Sequence, residues 1–98
     1  GGGELYMMRM ETKAVRVAGV EDGFFCFVPD QDHEGYFLPY FFVILDETKS
    51  LDEVKAGLAD ALEEYEYPVD IRVIKERPYF HFKTNRKELT AAILEELN

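Results

Sequence analysis

The chain has 98 residues, a net charge of −9 and a single cysteine. This length fits one small domain, and a content of 47% hydrophobic and 14% aromatic residues argues against a disordered chain. The acidic balance argues against nucleic acid or an anionic membrane as the main partner. No apolar run reaches the roughly 18 to 20 residues of a membrane span, and one cysteine excludes a disulfide framework.

The N-terminal part of the chain predicts a helix over residues 5–17. Its apolar side chains recur at helical spacing on two faces, one with Leu5 and Met8 and the other with Met10 and Ala14. Gly19 follows the pattern and is the usual kind of residue beyond a helix C-terminus. Residues 1–4, which begin with three glycines, are expected to be a linker or a remnant of cloning.

Two short apolar runs come next and predict two strands. Residues 24–28 and residues 36–45 are rich in aromatic and β-branched side chains, which favour buried strands. The polar loop at residues 29–35 joins them, so we expect an antiparallel pair. Pro39 should lie at an edge or before the regular pairing begins, because proline cannot donate to the ladder.

The second half of the chain predicts a helix, a strand and a last helix. Ser50 and Glu53 form a capping-box pair that opens a helix with an apolar stripe reaching Tyr65, and Pro68 blocks its continuation. Residues 69–74 alternate between apolar and polar side chains, as a half-buried strand does. Residues 77–83 are interpreted as a loop.

Asn85 and Glu88 resemble a second capping box, and the apolar positions up to Leu97 predict the final helix. The predicted order is α-β-β-α-β-α. A small three-stranded sheet covered by helices, an α+β fold, follows from this order, with residues 1–98 as a single domain.

Three candidate sites of simple chemistry are not favoured. Residues 30–35 begin like a calcium loop, but the twelfth position is Phe41 rather than a carboxylate, so a solvated loop is the better interpretation. His33 and His81 lack partners at ligand spacing, so no metal site is expected. Cys26 lies in the most apolar run, which predicts a buried and inert thiol.

A basic segment departs from the acidic background. Aromatic side chains at residues 79–82 interleave with it. Five of the eleven bases lie within thirteen residues: Lys75, Arg77, Lys83, Arg86 and Lys87. One interpretation is that these bases only offset the acidic helices. The other is that a lysine on a loop is presented to a phosphoryl group or a carboxylate.

Five segments carry motifs that resemble one known family. Residues 19–30 read G-V-E-D, an apolar strand and V-P-D; residues 41–45 read F-F-V-I-L; and residues 83–89 read K-T-N-R-K-E-L. Residues 50–62 resemble an L-x-E-L/V-K helix, and residues 67–74 a Y-x-x-P strand. Their order and spacing resemble the C-terminal subdomain of the AMP-forming acyl-adenylating enzymes, which include acyl-CoA and aryl-CoA synthetases.

The resemblance implies a two-step reaction and a catalytic residue. A carboxylate attacks the α-phosphate of ATP to give acyl-AMP and pyrophosphate, and a thiol, often that of CoA, then takes the acyl group. The family's invariant lysine matches Lys83, and Glu11 stands where a glutamate is usual. The subdomain closes over the active site for adenylation and rotates for thioester formation. Gly2 and Gly3 lie close to the family's hinge.

The same resemblance implies partners that this chain does not contain. The N-terminal adenylation domain of the same enzyme would bind ATP or AMP, Mg with ATP, and the carboxylic acid substrate, with CoA as the second substrate. No cofactor is expected to bind tightly to this chain alone, and the chain alone is expected to be inactive. Without a recognisable secretory leader, a cytoplasmic protein is expected.

Two departures and two alternatives accompany the resemblance. The loop before Lys83 is one residue shorter than in the family, and Phe82 stands where the family has glycine. A different class of function is a non-catalytic α+β binding or regulatory module. A homo-oligomer of the isolated domain, paired through edge strands, is a further expectation.

Overall fold

The computed structural model describes residues 2–80 and 83–98. The described residues form three α-helices, one 3-10 turn (Glu64–Glu66) and five strands. In chain order these are α1 (Gly2–Ala14), β1 (Val20–Pro29), β2 (Phe37–Leu45), α2 (Leu51–Ala61), β3 (Asp70–Val73), β4 (Tyr79–Phe80), β5 (Lys83–Thr84) and α3 (Arg86–Leu97). The predicted order α-β-β-α-β-α is confirmed, with β4 and β5 as an addition. No helix in this part of the chain is long and apolar enough to cross a membrane.

The main sheet has three strands in the order β1-β2-β3. β1 and β2 are antiparallel, as predicted, with Phe24 opposite Phe42 and Phe25 opposite Phe41. β3 runs parallel to β2, so α2 serves as the crossover between them. Pro39 lies in the central strand, one residue before the pairing of β2 with β3 begins at Tyr40. The proline therefore avoids the stretch where β2 is paired on both sides.

Both faces of this sheet are covered by helices. Neighbouring residues of a strand point to opposite faces, so each strand contributes side chains to two separate cores. α1 and α2 cover one face, where the core consists of Met10, Ala14, Phe25, Phe41, Val43, Val54, Leu58 and Leu62. α3 covers the other, where the core consists of Phe24, Cys26, Val28, Tyr40, Phe42 and Ile93. The domain thus has three layers, which explains why the runs that form β1 and β2 are apolar throughout rather than alternating.

α1 is displaced towards the N-terminus relative to its prediction. It begins at Gly2 and ends at Ala14, and Gly19 follows with a positive φ of 97°. Of the two apolar faces in the sequence, the one with Met10 and Ala14 is buried, whereas Leu5 and Met8 are exposed. The face with Met10 and Ala14 is the buried one because it packs against the apolar side chains of the sheet, and this removes apolar area from water.

α2 begins as predicted and ends earlier. The Ser50 hydroxyl accepts from the Glu53 backbone N–H, and the Glu53 carboxylate accepts from the Ser50 N–H, so both halves of the capping box are present. The prediction that the helix reaches Tyr65 is wrong: α2 ends at Ala61, and Tyr65 is exposed. The chain turns here because the buried Glu66 carboxylate accepts from the Glu63 backbone N–H.

The interpretation of residues 77–83 as a loop is wrong in part. Tyr79–Phe80 and Lys83–Thr84 pair as a two-stranded antiparallel sheet. Below it, the Asn85 backbone N–H donates to the Pro78 carbonyl over 2.8 Å. These bonds bring the two ends of the segment together, so the chain forms a hairpin. His81 and Phe82, which belong to the predicted loop, lie outside the described residues.

Candidate functional site around Lys83

Lys83 occupies the second strand of the small hairpin. It begins β5, opposite Phe80 in β4, and it is exposed. Two residues later Asn85 caps α3, because its side-chain oxygen accepts from the Glu88 backbone N–H. A lysine on an exposed hairpin directly before a helix is fixed at its backbone and free to extend its ammonium into solvent or towards a partner.

Arg77 fastens the first arm of the hairpin to β1. Its Nε and Nη2 donate to the two carboxylate oxygens of Asp22 over 2.9 and 2.6 Å. Its Nη2 also donates to the Gly23 carbonyl over 3.2 Å, and its Nη1 donates to the Thr84 hydroxyl over 2.6 Å. The hydrogen bonds and the charge of Arg77 hold the pKa of Asp22 below its ordinary value, so this carboxylate stays ionised.

Arg86 fastens the end of the second arm to the same strand. Its Nε donates to the Phe25 carbonyl over 2.9 Å, and its Nη2 donates to the Glu11 carboxylate over 2.8 Å. The same Glu11 oxygen accepts from the Phe25 backbone N–H over 2.9 Å. Glu11 and Arg86 together therefore satisfy both backbone polar groups of Phe25 on the outer edge of β1, and they join α1, β1 and α3.

The ring of Phe24 lies beneath both guanidinium groups. The Cζ atom of Arg77 is 4.7 Å from the ring centroid, and that of Arg86 is 5.7 Å away. On the sheet, Phe24 stacks on Phe42 with 5.4 Å between ring centroids. Two cations within about 6 Å of one aromatic ring are each attracted by its quadrupole. The hairpin thus rests on the aromatic core through charged side chains.

The basic segment of the sequence is therefore not one surface patch. Arg77 and Arg86 turn inward and are paired with Asp22 and Glu11, whereas Lys83 is exposed. The first interpretation holds for the two arginines, which pair with acids, whereas the presentation of Lys83 to an anion stays a prediction.

The remaining candidates have structural roles. Cys26 is fully buried, which confirms the predicted burial of its thiol, and this burial raises the pKa of the thiol to about 11. Asp30 accepts from the Asp32 backbone N–H over 3.0 Å and contacts His33 Nδ1 over 3.0 Å, so its carboxylate organises the loop. Within residues 2–80 and 83–98, no cluster of three or more His, Cys, Asp or Glu residues could hold a metal ion.

Sequence reasoning did not find the pairing of Asp22 with Arg77. These residues lie 55 positions apart, and no local spacing connects them. Asp22 appears in the sequence only as part of the G-V-E-D motif, and Arg77 only as one base among five. The signal that could have found them is a carboxylate just before the apolar run at residues 24–28, which needs a partner if the strand is buried.

The solved structures of several ligases share this fold. An acyl-CoA synthetase from Brucella canis has a TM-score of 0.76 at 21% identity and covers 94% of this chain and 18% of its own. A benzoate CoA ligase from Burkholderia xenovorans LB400 has a TM-score of 0.66 at 26% identity over 86% of this chain. An anthranilate CoA ligase solved with anthranoyl-AMP has a TM-score of 0.72 at 20% identity over 92%.

These likenesses confirm the fold that the sequence resemblance implied. The chain spans about 18% of the length of each of these three ligases, so it corresponds to a small part of such an enzyme. No protein-family model matches the sequence, and no curated protein does.

Proposed function

We propose that the chain is the mobile C-terminal subdomain of an ATP-dependent, AMP-forming acyl- or aryl-CoA synthetase. The observation that carries this proposal is the extent of the structural match, which takes in 86–94% of this chain and 18% of each of the three ligases. The ordered motifs, ending in K-T-N-R-K-E-L, support the same assignment from the sequence. An N-terminal adenylation domain is then the partner of this chain, and the chain alone is inactive.

Lys83 is the catalytic residue of this proposal. In the adenylation step a carboxylate attacks the α-phosphate of ATP, so two negatively charged groups must approach each other. An ammonium placed between them offsets that repulsion and stabilises the charge of the transition state. Support comes from the exposure of Lys83 on a fastened hairpin and from the commitment of the nearby Asp22 and Glu11 carboxylates to arginines.

The second half of the proposed cycle uses a domain rotation. The subdomain closes over the adenylation domain with Lys83 inward, then rotates so that another of its faces meets the acyl-AMP and CoA. Gly2 and Gly3 lie near the hinge of this motion. The larger domain binds ATP, Mg with ATP, and the carboxylic acid. The abundance of ATP and CoA inside cells supports a cytoplasmic location for such an enzyme.

The test is a pair of half-reactions on the full-length protein that contains this chain. ATP–pyrophosphate exchange, with a panel of aliphatic and aromatic carboxylic acids, measures adenylation; transfer from supplied acyl-AMP to CoA measures thioester formation. We expect Lys83→Ala to lower adenylation by about 100-fold or more, because one preorganised charged group contributes that much to a transition state.

The matched control is Lys87→Ala, which removes another lysine four residues away on α3. It should leave adenylation within about twofold, since an exposed charge away from the reacting atoms contributes little. A Lys83→Ala protein with unchanged adenylation would reject the catalytic role. A full-length protein that adenylates no acid, and instead binds another protein tightly, would favour the non-catalytic module.

A further inference from the structure

The Arg77 side chain joins the hairpin that carries Lys83 to β1, because it contacts residues in both. Arg77 bonds the Asp22 carboxylate and the Gly23 carbonyl at the start of β1, and the Thr84 hydroxyl directly after Lys83. Because the guanidinium is planar and its donors point in fixed directions, these bonds define the position of Thr84 relative to β1.

The Lys83 side chain cannot fix the position of its own ammonium group. Its four-carbon stem is flexible, so the position of its ammonium depends on where the backbone of β5 is held. Three contacts beside Lys83 hold that backbone: the Arg77–Thr84 bond of 2.6 Å, the Asn85–Pro78 backbone bond of 2.8 Å and, at the start of α3, the bond from Arg86 to the Phe25 carbonyl of 2.9 Å. Of these, the Arg77 bond is the one that joins the two arms of the hairpin through side chains, so a substitution of Arg77 tests it directly.

The partly buried surroundings of Arg77 strengthen its ion pair with Asp22. The side chain is 19% exposed, and its guanidinium lies 4.7 Å above the Phe24 ring, itself part of the core. Burial of this kind shields the ion pair from solvent and strengthens it relative to a surface pair. Asp22, whose pKa is lowered by Arg77, remains a charged acceptor across the neutral pH range.

We propose that Arg77, held by Asp22, is the positioning residue that sets Lys83 for the adenylation step. This inference rests on the proposed function. Arg77 touches neither substrate; it acts through Thr84 and the hairpin backbone. Its effect should therefore fall on the step in which Lys83 takes part and not on the thioester step, in which Lys83 has rotated away.

The experiment compares kcat and KM of both half-reactions in the full-length protein for Arg77→Ala, Arg77→Lys and Lys83→Ala. The matched control is Arg72→Ala, because Arg72 is likewise an arginine that bonds two elements: it contacts the carboxylates of Asp70 and Glu96 and so joins β3 to α3, away from the hairpin. Added guanidinium ion is tested for rescue of Arg77→Ala.

We expect Arg77→Ala to lower the adenylation kcat by about 10- to 100-fold, since a small misplacement of a catalytic group costs this much. The KM for ATP and the thioester step should change by less than about twofold, and millimolar guanidinium should restore part of the adenylation rate. Arg77→Lys should remain impaired, because one ammonium cannot reach acceptors on both sides. Arg72→Ala should leave both half-reactions within about twofold.

The outcomes separate the two proposals. Equal losses in both half-reactions of Arg77→Ala, or an unchanged adenylation kcat beside a severe Lys83→Ala defect, overturn the positioning role and leave the proposed function standing. Unchanged adenylation in Lys83→Ala overturns the catalytic role of Lys83, and this inference with it, whereas a full-length protein that adenylates no acid overturns the proposed function.

Discussion

The substitution Glu66→Gln tests how the turn after α2 is fastened to α1. The Glu66 side chain is 1% exposed, and its carboxylate accepts from Lys13 Nζ over 2.8 and 3.1 Å and from the Glu63 backbone N–H over 2.8 Å. Glutamine keeps the size and one carbonyl acceptor but removes the charge. Hydrogen bonds to charged groups contribute about 1.5–3 kcal/mol and neutral ones about 0.5–1.5, so the expected loss is about 1–2 kcal/mol.

The partial exposure of Lys13 limits this loss. Its side chain is 33% exposed, so water can solvate the ammonium once the carboxylate is gone, and the larger penalty of an orphaned buried charge does not apply. Urea denaturation of the 98-residue chain measures the free energy of unfolding. A loss of this size should lower Tm by about 4–8 °C per kcal/mol. The matched control is Glu64→Gln, an exposed acid in the same 3-10 turn.

The stability difference between the wild type and Glu66→Gln should depend on pH, and the pKa of Glu66 determines the direction of that dependence. Burial alone would raise the pKa of Glu66, but the bonds from Lys13 and from the Glu63 N–H together bring it below the ordinary value of 4.5. A carboxyl whose pKa is lower in the folded state stabilises the fold above the unfolded pKa, and this stability is lost as the pH falls through the folded pKa. The difference between the wild type and Glu66→Gln should therefore be full at pH 7 and shrink below pH 4.5. Equal stability at pH 7, or a difference that persists at pH 2, would refute the reasoning.

Two further predictions test the core. Cys26 should resist a thiol reagent at pH 8 in the native protein and react fully in denaturant, because it is buried and its pKa is raised to about 11; rapid native labelling would contradict the described packing. Gly23→Ala should destabilise the chain by about 1–3 kcal/mol in urea, because an added Cβ would lie 2.4 Å from Cζ of the Phe41 ring; stability equal to wild type would show that the ring moves aside at no cost.

Local patterns predicted most of the fold. The capping box at Ser50, the two apolar runs and the positive-φ glycine at position 19 each act over a few residues, so the sequence displays them directly. Boundaries were less predictable where a distant group decides them. α2 ends early because Glu66 turns back towards Lys13, 53 positions away, and no local pattern records that contact.

The candidate site was predictable only in its exposed member. Lys83 belongs to a motif of consecutive residues, so a resemblance could single it out. Asp22 and Arg77 meet only after β1 and the hairpin have been brought together, at a separation of 55 residues. The hairpin itself was missed for the same reason, since its strands are two residues long and depend on tertiary bonds rather than on propensity.

Side chains that occupy the backbone groups at the outer edge of β1 hinder self-association through that edge. The outer edge of β1 has its Phe25 N–H and carbonyl satisfied by Glu11 and Arg86, and its Gly23 carbonyl by Arg77. Pairing of two copies through this part of β1 would have to break those ion pairs first. The oligomeric state of the isolated chain stays a prediction that sedimentation can test.

The most direct test of the central claim is a single-turnover measurement of pyrophosphate release by the full-length protein, with ATP and a carboxylic acid that it activates. Lys83→Ala should release pyrophosphate about 100-fold more slowly than wild type, while its transfer of a supplied acyl-AMP to CoA stays within about twofold. Equal rates of pyrophosphate release in Lys83→Ala and wild type would contradict the account.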